Sequence, residues 1–197
     1  VVSLGYSSLR GCSSLTTITP LSSIVSIDSY AFYGCASLES LSFSDSLLMV
    51  GVEAMRQCTS LKSVHLGSSL KTAGIGMLRI NRALESLTLP DSLTTISDAL
   101  AYGCKSLKSL ILGKYVKTIG REAFHSCPIQ NDIMLYSSIE SIGVTAFYYS
   151  SVPSLTVINA SRLDIGLSTF HTSSLTKVNI TARGHVAISA AAFYNCK

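Results

Sequence analysis

The sequence predicts a right-handed solenoid of α/β type, mainly short parallel strands with brief helical turns, in about eight and a half coils of roughly 23 residues. Three observations carry this prediction. An aromatic-aliphatic column recurs at a constant spacing, an isoleucine column keeps phase with it, and the composition is 47% hydrophobic with only 13% charged residues. Disordered chains show the opposite balance, so this chain folds. A unit this short cannot bury an apolar face alone, and its copies must stack around one shared core.

Equal steps from Leu9 reach Phe32, Met55, Leu78, Ala101, Phe124, Phe147, Phe170 and Phe193 without a slip. A second column holds Ile27, Val50, Ala73, Ile96, Ile119, Ile142, Ile165 and Ile188, often followed by glycine, as at Gly51, Gly74, Gly120, Gly143 and Gly166. A third column holds Cys12, Cys35, Cys58, Asn81, Cys104, Cys127, Ser150, Ser173 and Cys196. Each coil then reads in order. A strand with alternating leucines comes first, as in LESLSF from Leu38 or LKSLIL from Leu107, then a turn such as Pro90-Asp91. A second extended stretch leads into an Ala-Phe-x-Gly-Cys corner, where Gly34 and Gly103 suit a left-handed exit. Later copies drift: IQNDIML gains a residue, SVPSLTVINA gains two, SSLTKVNI loses one, and each drift is made up before the next phenylalanine. A stack of coils in register requires that compensation.

These residues resemble the BspA-type leucine-rich repeat family, whose repeat looks like Leu-x-x-Ile-x-Leu-Pro-x-Ser-Leu-x-x-Ile-Gly-x-x-Ala-Phe-x-x-Cys-x-Ser. LESLTLPDSLTTIS from Leu84 and VKTIGREAFHSCPI from Val116 carry nearly all of that pattern, and the resemblance covers the whole chain. It implies a leucine-rich-repeat-like solenoid. It also implies a non-enzymatic, adhesion-type module of a surface or secreted protein, binding a host, matrix or cell-surface protein or another copy of itself. An intracellular scaffold, or a recognition segment fused to another domain, is the alternative. Fold does not fix the partner.

The remaining sequence narrows the classes. The net charge of +4 is scattered, whereas a nucleic-acid binder carries a dense basic face, so no nucleic acid is expected. No run approaches the ~18 apolar residues of a membrane span, and no membrane insertion is expected within this segment. Val1 aligns inside a repeat and Lys197 stops where another strand should follow. The expectation is a single array over residues 1–197, uncapped at both ends and part of a longer protein.

No P-loop, dinucleotide fingerprint or nucleophile elbow occurs, and His65, His125, His171 and His185 form no triad or metal signature. No catalytic residue and no cofactor is expected. Cysteines of neighbouring coils fall within disulfide range but point the same way, and they are read as buried free thiols. Their spacing, a full coil, does not suit zinc.

Two surfaces remain. The residue after the phenylalanine column runs Arg10, Tyr33, Arg56, Arg79, Tyr102, His125, Tyr148, His171, Tyr194, every member aromatic or basic. Facing outward, it would be a binding ridge, since Tyr and Arg dominate hot spots; the plainer alternative is that long amphipathic side chains cover an apolar seam. The open face of the first strands presents Thr17, Ser40, Ser63, Ser86 and Ser109 in one column. The next holds Thr19, Ser42, His65, Thr88, Ile111, Met134 and Asn179. It suits a broad contact surface, and equally a half-exposed strand. Two sequons, at Asn159 and Asn179, are expected on adjacent strands of that face.

Overall fold

The computed structural model describes residues 2–19 and 21–196. Val1 and Lys197, where the array is expected to break off mid-repeat, lie outside the described residues. The chain winds as a parallel β-solenoid with two walls of strands, here numbered in chain order. One wall comprises β1 (Val2–Leu4), β2 (Ile24–Ile27), β4 (Met49–Val50), β6 (Thr72–Ala73), β8 (Thr95–Ile96), β10 (Thr118–Ile119), β12 (Ser141–Ile142), β14 (Leu163–Ile165) and β16 (Val186–Ile188), in two sheets that part between β6 and β8. The other, the open face, comprises β3 (Ser40–Ser42), β5 (Ser63–His65), β7 (Ser86–Thr88), β9 (Ser109–Ile111), β11 (Ile133–Leu135), β13 (Ser154–Ala160) and β15 (Lys177–Ala182).

Register follows the repeat. Val50 pairs with Ala73, Ile96 with Ile119 and Ile142 with Ile165. The phenylalanine column lies inside: Phe32, Phe124, Phe147 and Phe170 are fully buried, as are Met55, Leu78 and Ala101 in the same column. Successive rings stack at 5.3, 5.0 and 5.5 Å from Phe124 to Phe193. The glycines after the isoleucine column answer a different need: a Cβ at Gly74 would fall on the backbone of Gly51 and Val52. Only glycine lets the coils approach there.

The corner departs from expectation. No helix forms among the described residues, and the brief helical turns expected at Ala-Phe-x-Gly-Cys are ladders of tight turns instead. Backbone bonding gives the reason. Phe32 and Gly34 donate their N–H groups to Ala54 and Arg56 of the next coil, at 2.7 and 2.9 Å, while Tyr33 and Cys35 close turns on Tyr30 and Phe32. An α-helix needs each N–H for the carbonyl four residues back, and here every other one leaves the coil. Two left-handed residues, four apart, bracket each corner: Tyr30 and Gly34 at φ 62° and 74°, Ala99 and Gly103 at 52° and 72°. The left-handed exits expected at Gly34 and Gly103 are present. A helix cannot propagate through such positions.

The open face departs more quietly. Thr17 and Thr19, placed by sequence in its two columns, belong to no strand, and the ladder itself is interrupted. β3 pairs with β5 and β7 with β9, while β11, β13 and β15 form a third group. Between β9 and β11 the extra residue of IQNDIML has a structural role. The Asn131 carboxamide accepts from Leu110 N–H at 2.8 Å and donates to the Leu110 carbonyl at 2.9 Å. A side-chain amide stands where a strand peptide would.

Candidate functional site

The column from Arg10 to Tyr194 forms two stacked runs along the array, Arg10 to Arg56 and Arg79 to Tyr194. The Arg10 guanidinium lies 4.9 Å over Tyr33, Arg56 lies 5.5 Å over the same ring, and Arg79 lies 4.8 Å over Tyr102. From there the rings continue at 4.7 Å to His125, 5.1 Å to Tyr148, 4.7 Å to His171 and 5.0 Å to Tyr194. The repeat dictates this, because adjacent coils place the same position about 4.8 Å further along the axis. Flat groups at that spacing meet face to face.

Stacking limits what the column offers. Arg10 and Tyr194 are exposed, but the other seven members are half-buried, because each face is covered by the neighbour one coil away. What remains outward is the ring edges, phenol hydroxyls and guanidinium tips. Arg56 is held by Glu53 at 2.7 Å. Arg56 Nε, Arg79 Nε and His125 Nδ1 are buried without a hydrogen-bond partner among the described residues. Burial pulls the His125 imidazole below its ordinary pKa, with Glu122 opposing and Lys105 assisting. The neutral ring, stacked between two tyrosines, is the favoured form. A hydrogen bond with Tyr149 pushes the Tyr148 phenol up, and Tyr149 stands edge-on to it at 4.4 Å. Sequence reasoning passed over Tyr149, although the doublet Tyr148-Tyr149 was its visible signal.

In the second open-face column Ser42, His65, Thr88, Ile111, Met134 and Asn179 are all exposed. The sequons lie on neighbouring strands as expected, and the Thr181 hydroxyl is engaged, accepting from Asn159 N–H and donating to the Val157 carbonyl. Nothing in the sequence signals the grooves along the open face. One of about 160 Å³ lies beside Thr17–Thr19 and β3, one of about 420 Å³ lies between β5 and β7, and one of about 120 Å³ lies between β9 and β11.

The cysteines are all free thiols; Cys35, Cys58, Cys104 and Cys127 are buried, Cys12 is exposed and Cys196 is half-buried. Their S–H groups serve the fold. Cys35 donates to the Leu9 carbonyl, Cys58 to Phe32, Cys104 to Leu78 and Cys127 to Ala101, at 3.1 to 3.2 Å, tying each corner to the preceding coil. Burial pushes Cys35 up to about 11 and Cys58 up to about 12. These are poor nucleophiles. Asn81 continues the column by accepting from Cys58 N–H at 2.9 Å. Among the described residues no group of three or more His, Cys, Asp or Glu side chains is placed to hold a metal, and no helix is long and apolar enough to cross a membrane.

The chain matches the BspA type Leucine rich repeat region, in 6 copies, over residues 1–98 and 79–197. No curated protein matches it. Among solved structures it is similar to a leucine-rich repeat protein from Bacteroides ovatus, at 22% identity and a TM-score of 0.57, covering 100% of this chain and 68% of that one. The leucine-rich repeat protein of T. pallidum matches at 22% identity and a TM-score of 0.58, over 88% of this chain and 72% of that one. A leucine rich cell surface protein from Faecalibacterium prausnitzii matches at 22% identity and a TM-score of 0.51, over 68% of this chain and 43% of that one. At this identity the structures speak to the fold alone, and they agree with the repeat. With the family pattern matched across both halves and the coils stacked in its register, the chain belongs to the BspA-type leucine-rich repeat family.

Proposed function

We propose that this array is a non-enzymatic, adhesion-type binding module of a surface or secreted protein, with a host, matrix or cell-surface protein, or a second copy, as partner. Leucine-rich repeat proteins are generally protein-interaction modules. The observation that carries the reading is the stacked column of Arg, Tyr and His, which presents hot-spot residue types already held in place. Pre-ordered side chains lose little entropy on binding. The Faecalibacterium relative's description as a cell surface protein supports the location.

Location is tested by brief protease shaving of intact source cells. Array peptides in the supernatant, with cytoplasmic markers absent, support the surface reading; peptides released only after lysis overturn it. The ridge is tested by Arg56→Ser with Tyr102→Ser in adhesion of array-coated beads to immobilised matrix proteins. Adhesion retained in full, with the fold intact, would remove the ridge from the site. One observation favours the intracellular scaffold as second reading: the cysteines are unpaired, and disulfides persist mainly in oxidising compartments.

A further inference from the structure

The two interruptions of the open face are built alike and filled differently. In the β7–β9 pair, Leu89 donates its N–H to the Ile111 carbonyl at 2.9 Å, and in the β3–β5 pair Phe43 donates to His65 at 2.9 Å. By this alternation the peptide groups of Val64 and Leu110 face away from their own pairs, toward the next coil. At Leu110 the Asn131 carboxamide meets both the N–H and the carbonyl. Val64 lies two coils earlier in the same column. There β5 and β7 are not ladder partners, and no backbone bond joins Leu66 N–H to the Thr88 carbonyl. No Asn fills the gap. The strands stay joined at their start, where Glu85 N–H reaches the Lys62 carbonyl at 3.2 Å, and splay beyond it. The fork opens into the groove of about 420 Å³ lined by Val64, Leu66, Ser86 and Thr88, with Asp45 and Asp91 at its rim.

The two rim carboxylates also differ. Asp91 Oδ1 accepts from Lys114 N–H at 2.9 Å while its other oxygen meets the Lys114 ammonium at 3.1 Å. Asp45 Oδ1 accepts from Ser68 N–H at 2.6 Å, but serine brings no ammonium, and no ion pair of Asp45 occurs among the described residues. The Ser68 amide holds the Asp45 carboxyl below its ordinary pKa, so it is charged at neutral pH.

We propose that the β5/β7 fork is a peptide-binding site: it takes an extended segment of a partner protein, one amide of which occupies the position that Asn131 fills two coils on. A Lys or Arg side chain of that segment rests against Asp45. This deepens the protein-binding reading given above and rests on it. Backbone pairing supplies attraction and the adjacent charge supplies selectivity, as in strand-addition recognition. The molecule itself shows an amide to be the group that closes such a gap.

The test uses a displayed random heptapeptide library panned on the array at low salt. Selected peptides should carry Lys or Arg, shift the backbone amide resonances of Val64, Leu66 and Thr88, and bind more weakly as salt rises. Asp45→Asn keeps the acceptor for Ser68 N–H and should weaken binding about threefold to fivefold, the range of an exposed ion pair. Ser86→Trp, at an exposed position, should fill the groove and abolish binding without disturbing the core. Peptides that bind Ser86→Trp unchanged, or that carry no basic residue and ignore Asp45→Asn, overturn the fork proposal. If such peptides are instead lost with Arg56→Ser and Tyr102→Ser, the protein-binding reading survives its failure. Failure to select any peptide overturns the fork proposal alone, since bead adhesion tests the wider reading separately.

Discussion

The corner and the open face repeat with the same period, yet one is continuous and the other is split. Along the corner, backbone N–H groups bond each coil to the next from Leu9 to Phe170, with thiols adding to them where the column holds cysteine and stacked phenylalanine rings from Phe124 to Phe193. Along the open face the ladder breaks twice, and one break is patched by a side chain. The difference teaches where register is kept. Left-handed residues and close backbone approach leave the corner no freedom to gain or lose a residue. Insertions therefore collect on the open face, where a strand can bulge away and rejoin its neighbours one coil later. Constancy at the corner frees the open face to vary, which suits that face for contacts.

The largest test of this contrast is Phe147→Ala. The ring is fully buried between Phe124 and Phe170, and its loss should cost about 3 to 5 kcal/mol in denaturant unfolding. A loss under ~1 kcal/mol would mean that the corner is not the continuous core described here.

Alkaline pH probes the corner through its thiols. Burial holds the Cys58 thiol up at about 12 against an ordinary 9.0. Folding therefore favours the neutral form, and this contribution is fully present below pH 9. It falls as pH rises toward 12, because the unfolded chain releases a proton that the folded one keeps, at up to about 1.4 kcal/mol per pH unit. The stability difference between the native chain and Cys58→Ala should shrink over that window. A difference constant from pH 8 to 11 would contradict the buried thiol.

Gly74→Ala comes next, at about 1 to 3 kcal/mol, since the new methyl meets backbone of the preceding coil. On the open face, Asn131→Ala strips partners from Leu110 N–H and C=O and should cost about 1 to 2 kcal/mol. Its amide exchange signature should be local, with faster exchange at Leu110 and none at Phe124. Smallest is Tyr102→Ser, expected below about 1 kcal/mol because the ring is half-exposed and its contacts are lateral. Equal losses at Phe147 and Tyr102 would erase the distinction between inside and edge.

The columns were legible because every coil repeats them: a residue that recurs nine times in phase, as from Leu9 to Phe193, announces its position. The Leu-x-x-Leu-x-Leu strands and the buried cysteines followed from the same regularity. The corner's conformation was not legible. Ala-Phe-x-Gly-Cys is composed like a helical turn, and the positive φ falls more often on other residues, such as Tyr30, Glu53, Gln57 and Ile80, than on glycine. Nothing in those side chains signals that conformation; the bonds to the next coil impose it. The arginine-tyrosine-histidine column could be read, but its stacking could not, since a single coil does not show what covers each ring. The insertion in IQNDIML was visible as a drift, while the role of Asn131 depends on a gap that only the folded ladder creates.

The bonds between coils have a further consequence when force is considered. They run along the solenoid axis, and the side-chain bonds between coils span 21 to 26 residues, so each coil is fastened only to its immediate neighbours. A load applied along that axis would not shear a whole sheet at once; it would peel the array from an end. Each released coil, about 23 residues long, would lengthen the chain by about 75 Å, from an extended reach of roughly 3.3 to 3.6 Å per residue. The array would yield in even steps, as a tether that pays out chain under tension while its remaining coils keep their grip.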